Sequence, residues 1–203
     1  MTTEMQSTHG EASGNGTSLT GEAQTLSQFA LVAYIPDPLG RFLDDLRLEL
    51  TPGCRPRAHV TVLPPRPLHH EVSETVHQLD EELRCATPFR VELGEIQIFD
   101  TSHVVYLGVT HGYRELLQLY GALNCDCLSY AEPFPYHPHI TLAQNVSDEE
   151  AAHLAAVATE RWEAYRGPRG FEVASLSFVQ QVAPNIWADV AKVPVGAPVT
   201  VAG

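Results

Sequence analysis

Histidine and threonine recur twice at the same short spacing, as Ala58-His59-Val60-Thr61-Val62 and Pro138-His139-Ile140-Thr141-Leu142. In an extended strand side chains alternate between faces, so each histidine shares a face with its threonine while the apolar residues turn to the other. Each motif therefore offers an imidazole and a hydroxyl from an element anchored by its own core side. Two such pairs facing each other supply a base, an acid and two hydroxyl donors. That set suits in-line attack at phosphorus. A neutral imidazole takes the proton from water or a ribose hydroxyl, and a protonated one gives a proton to the leaving oxygen. Thr61 and Thr141 would donate to the non-bridging oxygens as charge builds there. Chance does not account for the pair. With 10 His and 15 Thr in 203 residues, roughly 0.14 such strings with apolar residues between and after are expected.

Around the motifs lie candidate substrate-binding groups. Arg57 stands two before His59 and shares its face if the strand extends that far. Phe134 and Tyr136 could stack on a base, as could Phe99. His137, two before His139 but interrupted by Pro138, suits a rim or supporting role, and Trp187 reads as core. A metal site is the rival reading of His137-Pro138-His139 and His69-His70. A metallohydrolase would need carboxylates near these ligands, and residues 51–70 and 133–146 contain neither Asp nor Glu. The expectation is no metal and no other cofactor.

The elements that must hold these residues can be read from periodicity. Residues 1–26 are polar and small and predict a disordered tail, with an irregular end over 194–203. Between them, Gln28 to Ile35 is a buried strand, and Leu39 to Leu50 a helix with Phe42, Leu43, Leu46 and Leu50 on one face. The His59 strand ends at Pro64-Pro65. Helix 70–84 and a strand from Phe89 to Phe99 follow. A strand from His103 to Val109, a helix over 112–125, the His139 strand and a helix from Asp148 to Ala164 repeat the order. Ser147 and Glu150 form a capping box for the last helix. Strands from Phe171 to Gln181 and from Ile186 to Ala191 close the chain. Strand, helix, motif strand, helix, strand is thus written twice, which predicts two lobes, roughly 27–100 and 101–193, related by a pseudo-twofold with the motif strands meeting across a cleft.

Charge and cysteine usage narrow the function classes. Twelve basic residues against 25 acidic give a net charge of −13, which argues against binding an extended duplex nucleic acid. The sequence predicts neither a transmembrane helix nor a secretory leader. Cys54, Cys85, Cys125 and Cys127 read as reduced thiols, and Cys125-x-Cys127 is too close for a zinc knuckle. A cytoplasmic monomer is expected.

With the motifs in place, the chain resembles the 2H phosphoesterase superfamily, in the branch named for 2'-5' RNA ligase, over about residues 28–192. The likeness rests on FALVAYIP, AHVTVLPP, PFRVELGEIQIFD-TSHVVYLGV, YHPHITLAQ and a closing strand near Trp187. It implies an α+β fold of two pseudo-symmetric lobes, each an antiparallel sheet with outer helices, and an active cleft between them. It also implies that His59, Thr61, His139 and Thr141 are the functional four. The activity implied is hydrolysis of 2',3'-cyclic phosphate ends of RNA or nucleotides. A 2'-5' RNA ligase activity and a nucleotide-binding module without turnover stand as alternatives.

Overall fold

The computed structural model describes residues 28–54, 57–184 and 186–196; the expected disordered tail over 1–26 and most of 194–203 fall outside them. Eight strands form two antiparallel four-stranded sheets. The first has the order β2-β1-β7-β8, from β1 (Gln28–Tyr34), β2 (His59–Pro67), β7 (Ser175–Ala183) and β8 (Ile186–Pro194). The second has the order β5-β4-β3-β6, from β3 (Phe89–Ile98), β4 (Val105–His111), β5 (His139–Ala143) and β6 (Gly170–Val173). The architecture is the expected α+β pair of lobes. Both motif strands are edge strands, β2 of one sheet and β5 of the other, and these two edges pack together.

The helices are amphipathic and bury one stripe each. Helix α1 (Leu39–Leu50) buries Leu39, Leu43, Leu46 and Leu50, and packs on β5 of the far sheet. Its counterpart α3 (Tyr113–Leu123) buries Leu116, Leu119 and Leu123 and packs on β2. Each motif strand is thus braced by a helix from the other half. Helix α2 (Val72–Leu83) lies against β8, and α4 (Asp148–Ala164) against β3, with Trp162 donating from Nε1 to the Gly94 carbonyl at 2.8 Å. The capping box of Ser147 and Glu150 is formed. Gly112 precedes α3 at φ +80, where a Cβ would come within 2.5 Å of the Arg90 carbonyl oxygen, so only glycine fits.

Three expectations are corrected. The sheets are not shared out as consecutive halves 27–100 and 101–193. β3 joins β4 in the second sheet, and β7 returns to β1 in the first, so each half sends a closing strand into the other half's sheet. The run from Phe171 to Gln181 is accordingly two strands. It breaks at Ala174, where the chain crosses from one sheet to the other. And β2 does not stop at Pro64-Pro65 but continues to Pro67. An edge strand has one row of unpaired amides, so proline's missing N–H costs nothing there. At the C-terminal end Pro194 still belongs to β8, and Val195 is buried with its N–H on the Ala174 carbonyl. No helix among the described residues is long and apolar enough to cross a membrane.

Candidate active site

Alternation along the motif strands orients the reactive groups. Val60, Val62, Ile140 and Leu142 are fully buried in the main core, while His59, Thr61, His139 and Thr141 face the other way, half-buried, and all four line one cleft of about 1030 Å³. The sequence placed both pairs correctly on one face each, and the packing of β2 beside β5 brings the faces together.

The two imidazoles are held in the same manner. His59 Nδ1 lies 2.6 Å from the carbonyl oxygen of Arg57, and His139 Nδ1 lies 2.7 Å from that of His137. A carbonyl only accepts, so each Nδ1 carries the proton and each Nε2 is left for chemistry. Burial pushes the His59 imidazole down to about 4, opposed by the Arg57 carbonyl and aided by the charges of Arg47, His139 and Arg57. Burial also lowers His139, opposed by the hydrogen bond to the His137 carbonyl and aided by the nearby His137 imidazole. His139 stands in an aromatic box, edge-on to Phe99 at 5.0 Å and to Tyr106 at 5.4 Å, with those two rings stacked at 4.0 Å. His137 sits in the same box and supports His139 through its carbonyl, the supporting place expected of it. Phe99 lines the cleft, but one of its faces is committed to Tyr106.

The remaining candidates divide. Phe134 is 72% exposed at the cleft lip between Pro133 and Pro135, open to a stacking partner. Tyr136 reaches the cleft, but its hydroxyl donates to the Thr61 carbonyl at 2.7 Å and its ring stacks on Tyr120 at 4.3 Å. It is placed to fix a loop against the motif strand more than to grip a ligand. Arg57 lines the cleft, with its guanidinium 3.7 Å over the Tyr34 ring and one nitrogen 2.7 Å from Asp189. Trp187, read as core from sequence, is a cleft residue instead. It packs with Tyr34 on a small apolar floor of Ala30, Val32 and Val179 that is separate from the main core.

Residues beyond the sequence reading complete the site. Arg66 on β2 is 1% exposed and spends its guanidinium on the loop that carries Phe134 and Tyr136, meeting Asn124, the Leu128 carbonyl and Glu132 at 2.7, 2.7 and 2.6 Å. Asp189 accepts from the Tyr34 hydroxyl at 2.6 Å and from Arg57. One local sign of Asp189 existed, its place two residues after Trp187 on a strand and hence on the same face.

Comparison with known proteins identifies the family and the fold. A sequence profile described as the 2'-5' RNA ligase superfamily matches residues 35–185. Among solved structures, LigT of E. coli, crystallised with 3'-AMP, is similar at a TM-score of 0.56 with 19% identity, covering 84% of this chain and 99% of that one. TT0787 of Thermus thermophilus is similar at 0.57 with 16% identity over 83% and 97% of the two chains. Usb1 of Kluyveromyces marxianus is similar at 0.53 with 15% identity over 83% and 98%. No curated protein matches by sequence.

Proposed function

Since the chain belongs to the 2'-5' RNA ligase superfamily, we propose that it is a metal-independent phosphodiesterase that opens 2',3'-cyclic phosphate ends of RNA or of small nucleotides. The observation that carries this reading is the matched pair of imidazoles lining one cleft, each with Nδ1–H fixed on a backbone carbonyl and Nε2 left for proton transfer. His59, held neutral by burial and by the nearby arginines, is the base that takes a proton from water. The water oxygen bonds to phosphorus as the bond to the ribose 2'- or 3'-oxygen breaks. His139 gives that oxygen its proton. Thr61 and Thr141 donate to the non-bridging oxygens, with Arg57 as a further phosphate partner and Phe134 at the lip for the base. Among the described residues, the acids lining the cleft are Glu132 and Asp189, and both are engaged by arginine, so neither is set up as a metal ligand.

The test is incubation in excess EDTA with a nucleoside 2',3'-cyclic phosphate and with an RNA oligomer ending in one. Opening by the wild type and not by His139→Ala is the expected result, with the product isomer showing which oxygen leaves. No turnover of either substrate overturns the assignment. Ligation arms with a 5'-hydroxyl RNA report the reverse reaction.

The pH dependence follows from the roles. The base must be neutral, so kcat/KM falls as acid protonates His59, at about pH 4. The acid must be charged, so kcat/KM falls again as pH rises through the His139 value, which lies below the usual 6.5. A bell on the acidic side of neutrality is expected for kcat/KM, with the kcat bell displaced upward because a bound anion favours imidazolium. A profile flat between about pH 4 and 8 contradicts the paired scheme.

A further inference from the structure

The pseudo-twofold is broken by one carboxylate. His139 is flanked by the rings of Phe99, Tyr106 and His137, whereas on the His59 side Asp189 enters the cleft from β8, bound to Tyr34 and Arg57. Register explains the approach: Tyr34 lies opposite His59 across β1 and β2, and Asp189 opposite Val179 across β7 and β8. The ionised residues lining the cleft, among those described, are Arg47, Arg57, Glu132 and Asp189. Glu132 is neutralised by Arg66 behind it, and Asp189 by Arg57. A cleft that handles phosphate therefore sets a carboxylate against Arg57.

We propose that Asp189 is a specificity-determining residue, which biases the cleft toward a singly charged phosphodiester and against the doubly charged monoester left by its hydrolysis. The inference rests on the phosphodiesterase reading and deepens it. A diester keeps one negative charge at every pH of interest, while a phosphate monoester carries about −1.5 to −2 at pH 7, its second pKa lying near 6. Both compete with Asp189 for Arg57, and the second charge of the monoester adds repulsion that the diester does not feel. Product binding is therefore weakened more than substrate binding. The titratable and charged groups facing Arg57 and Asp189 are Tyr34 from β1, His59 from β2, and Asp44 and Arg47 from α1, with His139 across the cleft. Protonation of the histidines strengthens binding of any anion, so the quantity to read is the ratio of variant to wild type.

Calorimetric titration of adenosine 3'-monophosphate into wild type and Asp189→Asn tests this at about pH 8 and about pH 5. Asp189→Ser serves as a second variant, and circular dichroism reports that each is folded. The variants are expected to bind the monophosphate about tenfold tighter at the higher pH and within about threefold of wild type at the lower, with KM for the cyclic phosphate changed less than about threefold. An equal gain at both pH values, or no gain, overturns the role of Asp189. In a wild type that turns over the cyclic phosphate, such results leave the phosphodiesterase reading standing. A wild type that binds no monophosphate and turns nothing over removes both.

Discussion

Replacing either His59 or His139 by alanine is expected to lower turnover of a 2',3'-cyclic phosphate by about 10²- to 10⁴-fold, with the thermal midpoint nearly unchanged. One imidazole takes a proton and the other gives one in the same step, so losing either stops the concerted reaction. The double variant is therefore expected to be little worse than the worse single one, because groups that act as a unit are not additive. The fold survives because each ring lines the cleft, and the core is filled by Val60, Val62, Ile140 and Leu142 on the opposite face. Initial rates with the cyclic phosphate, beside melting curves, check both halves. Activity retained in both single variants rules out the acid–base pair, and a collapse of the fold in either would show that the ring is structural.

Arg66→Met is expected to be the most destabilising single change in the neighbourhood of the site, by about 3–5 kcal/mol, measured by denaturant unfolding. The guanidinium is 1% exposed, and the Glu132 carboxylate it meets is buried to 11% exposure, where burial already pulls its carboxyl upward against the arginine. Removing the arginine strands that carboxylate and the Leu128 carbonyl at once, and takes one donor from Asn124 Oδ1, which keeps the Tyr130 N–H. Glu132→Gln keeps a neutral acceptor and should cost less. The loop between α3 and β5 hangs on this contact and on the bond from Tyr136 to Thr61. Arg66→Met should therefore also lower kcat/KM under conditions where the protein remains folded. A stability change below about 1 kcal/mol would show that the loop is held by other means.

Much of this architecture was legible because it is local. Helix α1 spans Leu39–Leu50 as its leucine spacing predicts, and α4 starts where Ser147 and Glu150 can cap it. Legibility failed where a side chain's place depends on a partner strand. Trp187 looked like core because a lone indole on a strand usually is. It lies in the cleft because β8 is the outermost strand of the first sheet and turns that face toward His59. Tyr136 looked like a stacking platform, and its hydroxyl and ring are taken by Thr61 and Tyr120, residues distant in sequence.

The sequence by itself determined the two reactive pairs and the faces they occupy, since a period of two residues is a property of the strand alone. It also determined their chemistry, because His and Thr side chains carry it wherever they sit. Only the tertiary structure decided that the pairs share a cleft, that each half sends a closing strand into the other's sheet, and that Asp189 meets Arg57 from 132 residues away. Strand order and edge-to-edge packing are settled by long-range burial of apolar faces. No spacing within either half encodes which strand of the other half will lie beside it.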